Sequence, residues 1–196
     1  MEPHQKALVD QAIRHVLTRY DDQHCLLRST TDPRFRSVQE SLAFAGLLLA
    51  RTAAGKGRKT ELGLARLLID TLLPLQNRVR RDPGYGAFPL IWTPDASRTQ
   101  IMDPDSREIM GSLLGLLLRD YGHLLGDKRS ARILESIRMT IRDKSQPVPE
   151  STAGAMMAAW LELEFGDQWR GERLATEVAL SGHDRLFERR FGDPAA

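Results

Sequence analysis

Three stretches of the chain share one layout, in which an apolar helical pattern enters a short polar turn and a second apolar helical pattern returns. The first spans Leu42 to Ala54, turns through Gly55-Lys56-Gly57-Arg58-Lys59-Thr60 and returns from Glu61 to Leu75. The second spans Ile109 to Leu125, turns at Gly126-Asp127 and returns through Ala131 to Ile141. The third spans Ala155 to Phe165, turns at Gly166-Asp167 and returns through Trp169 to Phe187. One such hairpin cannot bury its apolar face alone, so a repeat of them implies an array or ring in which each covers the next.

The spacing predicts an all-α fold in a single domain of 196 residues. A leading amphipathic helix covers residues 5–20, with Leu8, Ala12, Val16, Leu17 and Tyr20 on one face. Hairpins follow over about 37–75, 104–142 and 151–187. Ser37-Val38-Gln39-Glu40 fits a capping box, and the nearly continuous apolar run after it implies a helix buried on most sides. Thr60 reads as the cap of the returning helix, and Pro74 should bend or shorten that helix. Gly126 and Gly166 can close their helices in the left-handed conformation, while Asp127 and Asp167 cap the next ones. Ser151 or Thr152 opens the third hairpin. Asp21 to Pro33 is polar and reads as a loop.

Residues 82–103 break the rhythm. Asp82 to Asp95 holds three prolines, two glycines and the aromatics Tyr85, Phe88 and Trp92, a mixture that forbids a helix and favours turns and extended backbone. Loops of this length in compact domains are usually functional or disordered, and disordered segments are poor in aromatics. With aromatics at 6% of the chain, three within eight residues are either plugs sealing the core or platforms for a ligand.

Several function classes are excluded. The longest apolar runs fall far short of the roughly 20 residues that cross a bilayer, so no membrane partner is expected. The N-terminus lacks the apolar segment of a signal peptide, and the single Cys25 rules out an internal disulfide or a Cys-based zinc site. Cys25 therefore reads as a buried thiol in a reducing compartment, which places the chain in the cytoplasm. Residues 1–81 carry fourteen Lys and Arg against eight Asp and Glu, but the excess is dispersed and gathers only at helix ends. A nucleic-acid partner is not expected from that pattern.

No nucleophile arrangement or histidine pair at ligand spacing is present, so no cofactor or metal is expected. Gly55-Lys56-Gly57 lacks the earlier glycine and the following hydroxyl of a phosphate loop. The sharpest acidic group is Asp103, Asp105 and Glu108. It could serve as acid and base at a reacting bond, and it equally suits the start of a helix, where acids complement the dipole and Pro104 follows an Asp103 cap. Trp160 and Trp169 lie within the helical pattern of the third hairpin and read as core, with Met156 and Met157 as gap fillers.

Consecutive helical hairpins joined by an aromatic, Gly/Pro-rich loop resemble part of the six-hairpin (α/α) toroid group, which includes heparinase-like polysaccharide lyases and unsaturated glucuronyl hydrolases. The resemblance rests on Gly86-Ala87-Phe88-Pro89, Trp92 and Asp103-Pro104-Asp105-Ser106-Arg107-Glu108 leading into Leu113 to Leu118. It covers roughly residues 36–187, about half a toroid, without the Asn- and His-bearing aromatic segments of the catalytic half. It implies an oligosaccharide ligand at the loop end of the ring. Tyr85, Phe88, Trp92, Asp95 and Arg98 would then bind, and Asp103, Asp105 and Glu108 would carry acid/base cleavage of a glycosidic linkage. The other expectation is a noncatalytic helical-hairpin scaffold. Its open end would expose apolar surface for a partner chain or a second copy that completes the array.

Overall fold

The computed structural model describes residues 3–94, 105–142, 149 and 151–181. Among them are seven α-helices and one small sheet. In order they are α1 (Pro3–Leu17), β1 (Tyr20–Asp21), β2 (Leu26–Arg28), β3 (Arg36–Ser37), α2 (Val38–Ala53) and α3 (Lys59–Leu72). Then come β4 (Ile91–Trp92), α4 (Ser106–Leu125), α5 (Asp127–Thr140), α6 (Thr152–Phe165) and α7 (Gln168–Ser181). The chain is mostly helical, as the spacing predicts.

Helices pair as α2/α3, α4/α5 and α6/α7, and the first members form a row with α4 between α2 and α6. Glycines set the close approaches within that row. A Cβ on Gly46 would lie 3.0 Å from Leu117, and one on Gly115 would lie 2.8 Å from the Trp160 ring. The second members are tied by charge, since Asp70 of α3 accepts from Arg129 and Arg132 of α5 at 2.7 and 2.8 Å. The core runs along the row, through Leu42, Leu48 and Leu49 of α2 and Leu114 of α4 to Leu161 of α6. Burying these side chains supplies the main drive to fold, at about 25 cal/mol per Å² of apolar surface.

Local chemistry explains most boundaries. Ser37 caps α2 by accepting from the Glu40 backbone N–H. The Glu40 carboxylate does not complete the capping box and pairs with Arg19 instead. Helix α3 starts at Lys59, before Thr60, and has no side-chain cap. Pro74 converts its end into a 3-10 turn over Leu73–Leu75. Gly126 holds φ +79°, open to glycine alone at little cost, whereas Gly166 sits at φ −123°. Asp127 makes no capping bond, but Asp167 accepts from the Arg170 N–H and does cap α7. Ser151 caps α6 through the Gly154 N–H at 2.8 Å.

Two expectations are corrected. The buried face of α1 is Val9, Ile13 and Val16, with Ile13 in the core, while Leu8, Ala12 and Leu17 face solvent. Val9, Ile13 and Val16 stand at i, i+4 and i+7, an unbroken apolar stripe with a large residue at its centre, whereas the expected face has Ala12 there. The stretch after α1 is also more than a polar loop. Strands β1 to β4 form an antiparallel sheet in sequence order, with Tyr20 opposite Leu27, Leu27 opposite Ser37 and Ser37 opposite Ile91. Leu26 and Leu27 of β2 are core residues, and Ser41 of α2 accepts the Leu27 N–H at 2.9 Å.

Candidate functional site

The aromatic loop is built on backbone hydrogen bonds and Asx turns. Asn77 and residues 86–87 bond in both directions, with Asn77 donating to the Ala87 carbonyl and Gly86 donating to the Asn77 carbonyl. Asp82 receives the Gly84 N–H at 2.7 Å. Gly86 holds φ +82° and lies so close to α5 that an added Cβ would stand 1.9 Å from the Met139 carbonyl oxygen. The three aromatics then diverge. Phe88 is fully buried in the core and offers no ring face to solvent. Trp92 sits half-buried in β4 with its ring tilted towards His24, 5.5 Å between centroids. Tyr85 is half-buried in the turn beside Pro83, whose carbonyl accepts from Arg107 at 3.2 Å.

The acidic group is committed to internal bonds wherever it is described. Asp105 is the residue that precedes α4, and it accepts from the Ser151 hydroxyl at the start of α6. Glu108 is 1% exposed, and its Oε1 accepts from Arg142 at 2.5 Å. Its Oε2 has no hydrogen-bond partner, and neither do the buried hydroxyls of Ser106 and Ser112 on the same helix. Burial, and then the nearby charge of Arg142, pushes the Arg107 guanidinium below its ordinary pKa. Asp95, Arg98 and Asp103 lie outside the described residues, as does Pro104.

A polar knot that sequence spacing did not assemble joins β1 to β3. Asp21 accepts from Arg36 Nε at 2.5 Å, from the ring of His24 at 2.7 Å and from the Gln23 N–H at 3.2 Å. Burial pushes this carboxyl up, but the bonds from His24 and Arg36 outweigh it and hold the group below the usual carboxylate range. Cys25, in the turn beside it, has φ +52° and is half-buried, not fully buried as expected.

The described surface has a different apolar opening. An apolar groove of about 370 Å³ runs between α6 and α7. Helix α6 contributes Thr152, Met156, Ala159, Trp160 and Leu163, and α7 contributes Ala175, Val178 and Ala179. The two helices are fixed at their turn. Glu162 accepts from Arg170 at 2.8 Å and from the Asp167 N–H at 3.1 Å, and Gly171 lets α7 approach Leu163. Beyond the turn three of the lining residues, Ala159, Ala175 and Ala179, are alanines too short to fill the space between the helices. Met156 is 60% exposed and does not fill a gap in the core, and Trp169, expected in the core, is 65% exposed. Trp160 does pack inward, edge-on to Phe165 at 5.8 Å. One signal could have found this groove, because the apolar residues of α6 surround the helix instead of forming one stripe. Such a helix needs cover on both sides.

The molecule is thus an all-α row of helical hairpins, with a small sheet at one end and, at the other, a hairpin whose apolar groove no described residue covers. No protein family matches the chain, and no curated protein or solved structure matches it. Among the described residues no group of three or more His, Cys, Asp or Glu is placed to hold a metal ion. No helix there is long and apolar enough to cross a membrane.

Proposed function

We propose that this chain is a noncatalytic helical-hairpin scaffold that docks a protein on its α6/α7 face. The observation that carries the reading is the groove of about 370 Å³, walled by apolar side chains and bordered by an exposed Met156. Apolar surface concentrated on one hairpin marks a place where a partner is bound. The carbohydrate reading has less support. It needs acids free to meet a sugar, whereas Asp105 receives Ser151 and Glu108 is shut in against Arg142. It also needs aromatic faces open to a ligand, and Phe88 is fully buried in the core.

The test is a photoreactive amino acid placed at Ala179 of the full chain in its native cells, with the exposed Ala131 of α5 as control. A discrete protein adduct at position 179 that is absent at 131 is the expected result. No adduct at 179, or the same adducts at both positions, would remove the reading.

A further inference from the structure

Arginines that meet no acid gather where the loop leaving α3 passes α5. We infer that this corner, formed by the turn over residues 78–82 and by Arg138 of α5, docks an acidic segment of a partner protein. It uses none of the residues of the α6/α7 groove and does not rest on the reading above.

Elsewhere most arginines are spent on the chain's own acids. Arg19 meets Glu40, Arg51 meets Asp10 and Glu61, and Arg129 and Arg132 share Asp70. Arg80, Arg81 and Arg138 have no partner among the described residues, and Arg78 reaches only the exposed Glu135, at 3.8 Å. A pair so exposed adds little to the fold. The α5 dipole favours a cation in its last turn, which suits Arg138, but it does not call for three arginines on the neighbouring loop.

The turn is fixed before any partner arrives. Asn77 accepts the Val79 N–H at 3.0 Å, and the Asp82 N–H donates to the Val79 carbonyl at 2.9 Å. Arg80 and Arg81 therefore occupy the two corner positions of a β-turn. The loop is held along α5 at both ends, by Gln76 on the Ser136 carbonyl and by Gly86 against Met139. Arg138 stands one helical turn on from Glu135, so cations from two elements border one surface. A guanidinium fork matches a carboxylate through two parallel hydrogen bonds, and a backbone already ordered has less freedom to lose on binding.

Two features favour a protein over other polyanions. Glu135 and Asp82 are both exposed among the arginines. A nucleic-acid strand carries a charge about every 3.4 Å and sets phosphates against both acids, whereas a polypeptide can place neutral residues there. Val79 is also 62% exposed between Arg78 and Arg80. A phosphate backbone gives it nothing to pack on, and one valine anchors poorly in a bilayer, but an apolar side chain between the partner's acids would cover it.

The experiment is fluorescence anisotropy of the full chain with a labelled peptide of alternating Glu and Leu, beside the same peptide with Gln for Glu. Uridine homopolymer RNA and phosphatidylserine vesicles are measured in parallel. The variants are Arg80→Glu/Arg81→Glu, Arg138→Glu and, in the other basic turn, Lys56→Glu/Arg58→Glu. All five positions are exposed, so helicity by circular dichroism should be kept. The expected result is binding of the Glu peptide and not of the Gln peptide. Affinity should fall about tenfold or more in Arg80→Glu/Arg81→Glu and about threefold in Arg138→Glu, and stay within about twofold in Lys56→Glu/Arg58→Glu, because like charges repel strongly only where they meet. No binding at about 100 µM chain and low salt, where surface charges act most strongly, overturns the proposal. So does an equal loss in the two double variants, which is the response of net charge alone. Tighter binding of RNA or vesicles through the same arginines overturns it in favour of that ligand.

Discussion

Gln76 is buried just after the 3-10 turn, and its amide is fully used. Its Nε2 donates to the Gly86 carbonyl at 2.9 Å and to the Ser136 carbonyl at 3.0 Å, while its Oε1 accepts from the Ser136 hydroxyl at 2.7 Å. The carbonyls can only accept, so the nitrogen must face them. Gln76→Leu fits the volume but removes, away from water, the partner of the Gly86 carbonyl and of the Ser136 hydroxyl, while the Ser136 carbonyl keeps its place in the α5 ladder. We expect a loss of about 3 kcal/mol, measured by urea unfolding, because buried unsatisfied groups cost roughly 1–3 kcal/mol each and part of that is relieved by relaxation. Asp21 makes a prediction in pH. Its folded-state pKa lies below the unfolded value of about 3.9, so its bonds stabilise the fold above that value and the contribution is lost as pH falls through the folded-state value. Asp21→Asn should therefore melt well below wild type at neutral pH, with the gap closing in acid. A gap of constant size from pH 7 to pH 3 would exclude the mechanism. Neither residue stood out in sequence, because each depends on a partner far along the chain, Ser136 for one and Arg36 for the other.

At the scale of the element, two glycines should respond with opposite sign. Gly86→Ala places a Cβ against the Met139 carbonyl at a positive φ, and backbone on both sides cannot yield. A loss of about 3 kcal/mol is expected from the clash and the strained dihedral together. Gly63 lies exposed within α3, where an added Cβ meets nothing within 4 Å. Gly63→Ala should stabilise by roughly 0.5–1 kcal/mol, the difference in helix propensity. Paired thermal melts of the two variants check both. The helices themselves were legible from sequence, since runs of fourteen to twenty residues rich in helix-forming apolar side chains and bounded by polar, Gly-containing turns leave little else to form. The strands were not. Each is two or three residues long, too short to display alternation, and β4 finds its partner β3 across the whole of the first hairpin.

For the whole molecule, a row of hairpins should lose structure from its less covered end. Among its described residues helix α7 buries only Gly171 and Leu174, whereas α2 buries seven. In dilute solution, native-state hydrogen exchange should release α7 first, well before α2, as in other arrays where each unit depends on its neighbours. Protection of α7 equal to that of α2 at low concentration would contradict the row as described. The row itself was readable in the repeat, but the apolar groove between α6 and α7 was harder to find. The acids at 103–108 drew notice because helix starts and catalytic pairs use the same residue types, and only the third dimension brings Arg142 onto Glu108. The sheet gives the array a different property, which concerns which pieces can be exchanged. Strands β3 and β4 bracket α2 and α3 and pair with each other, Arg36 opposite Trp92, while β1 and β2 finish the same ladder. The first hairpin is therefore not an interchangeable module. Any attempt to graft it onto another array, or to extend this one by duplication, must carry residues 20–92 as one indivisible cassette, whereas α6/α7, which has no strand in the ladder, has no such tether.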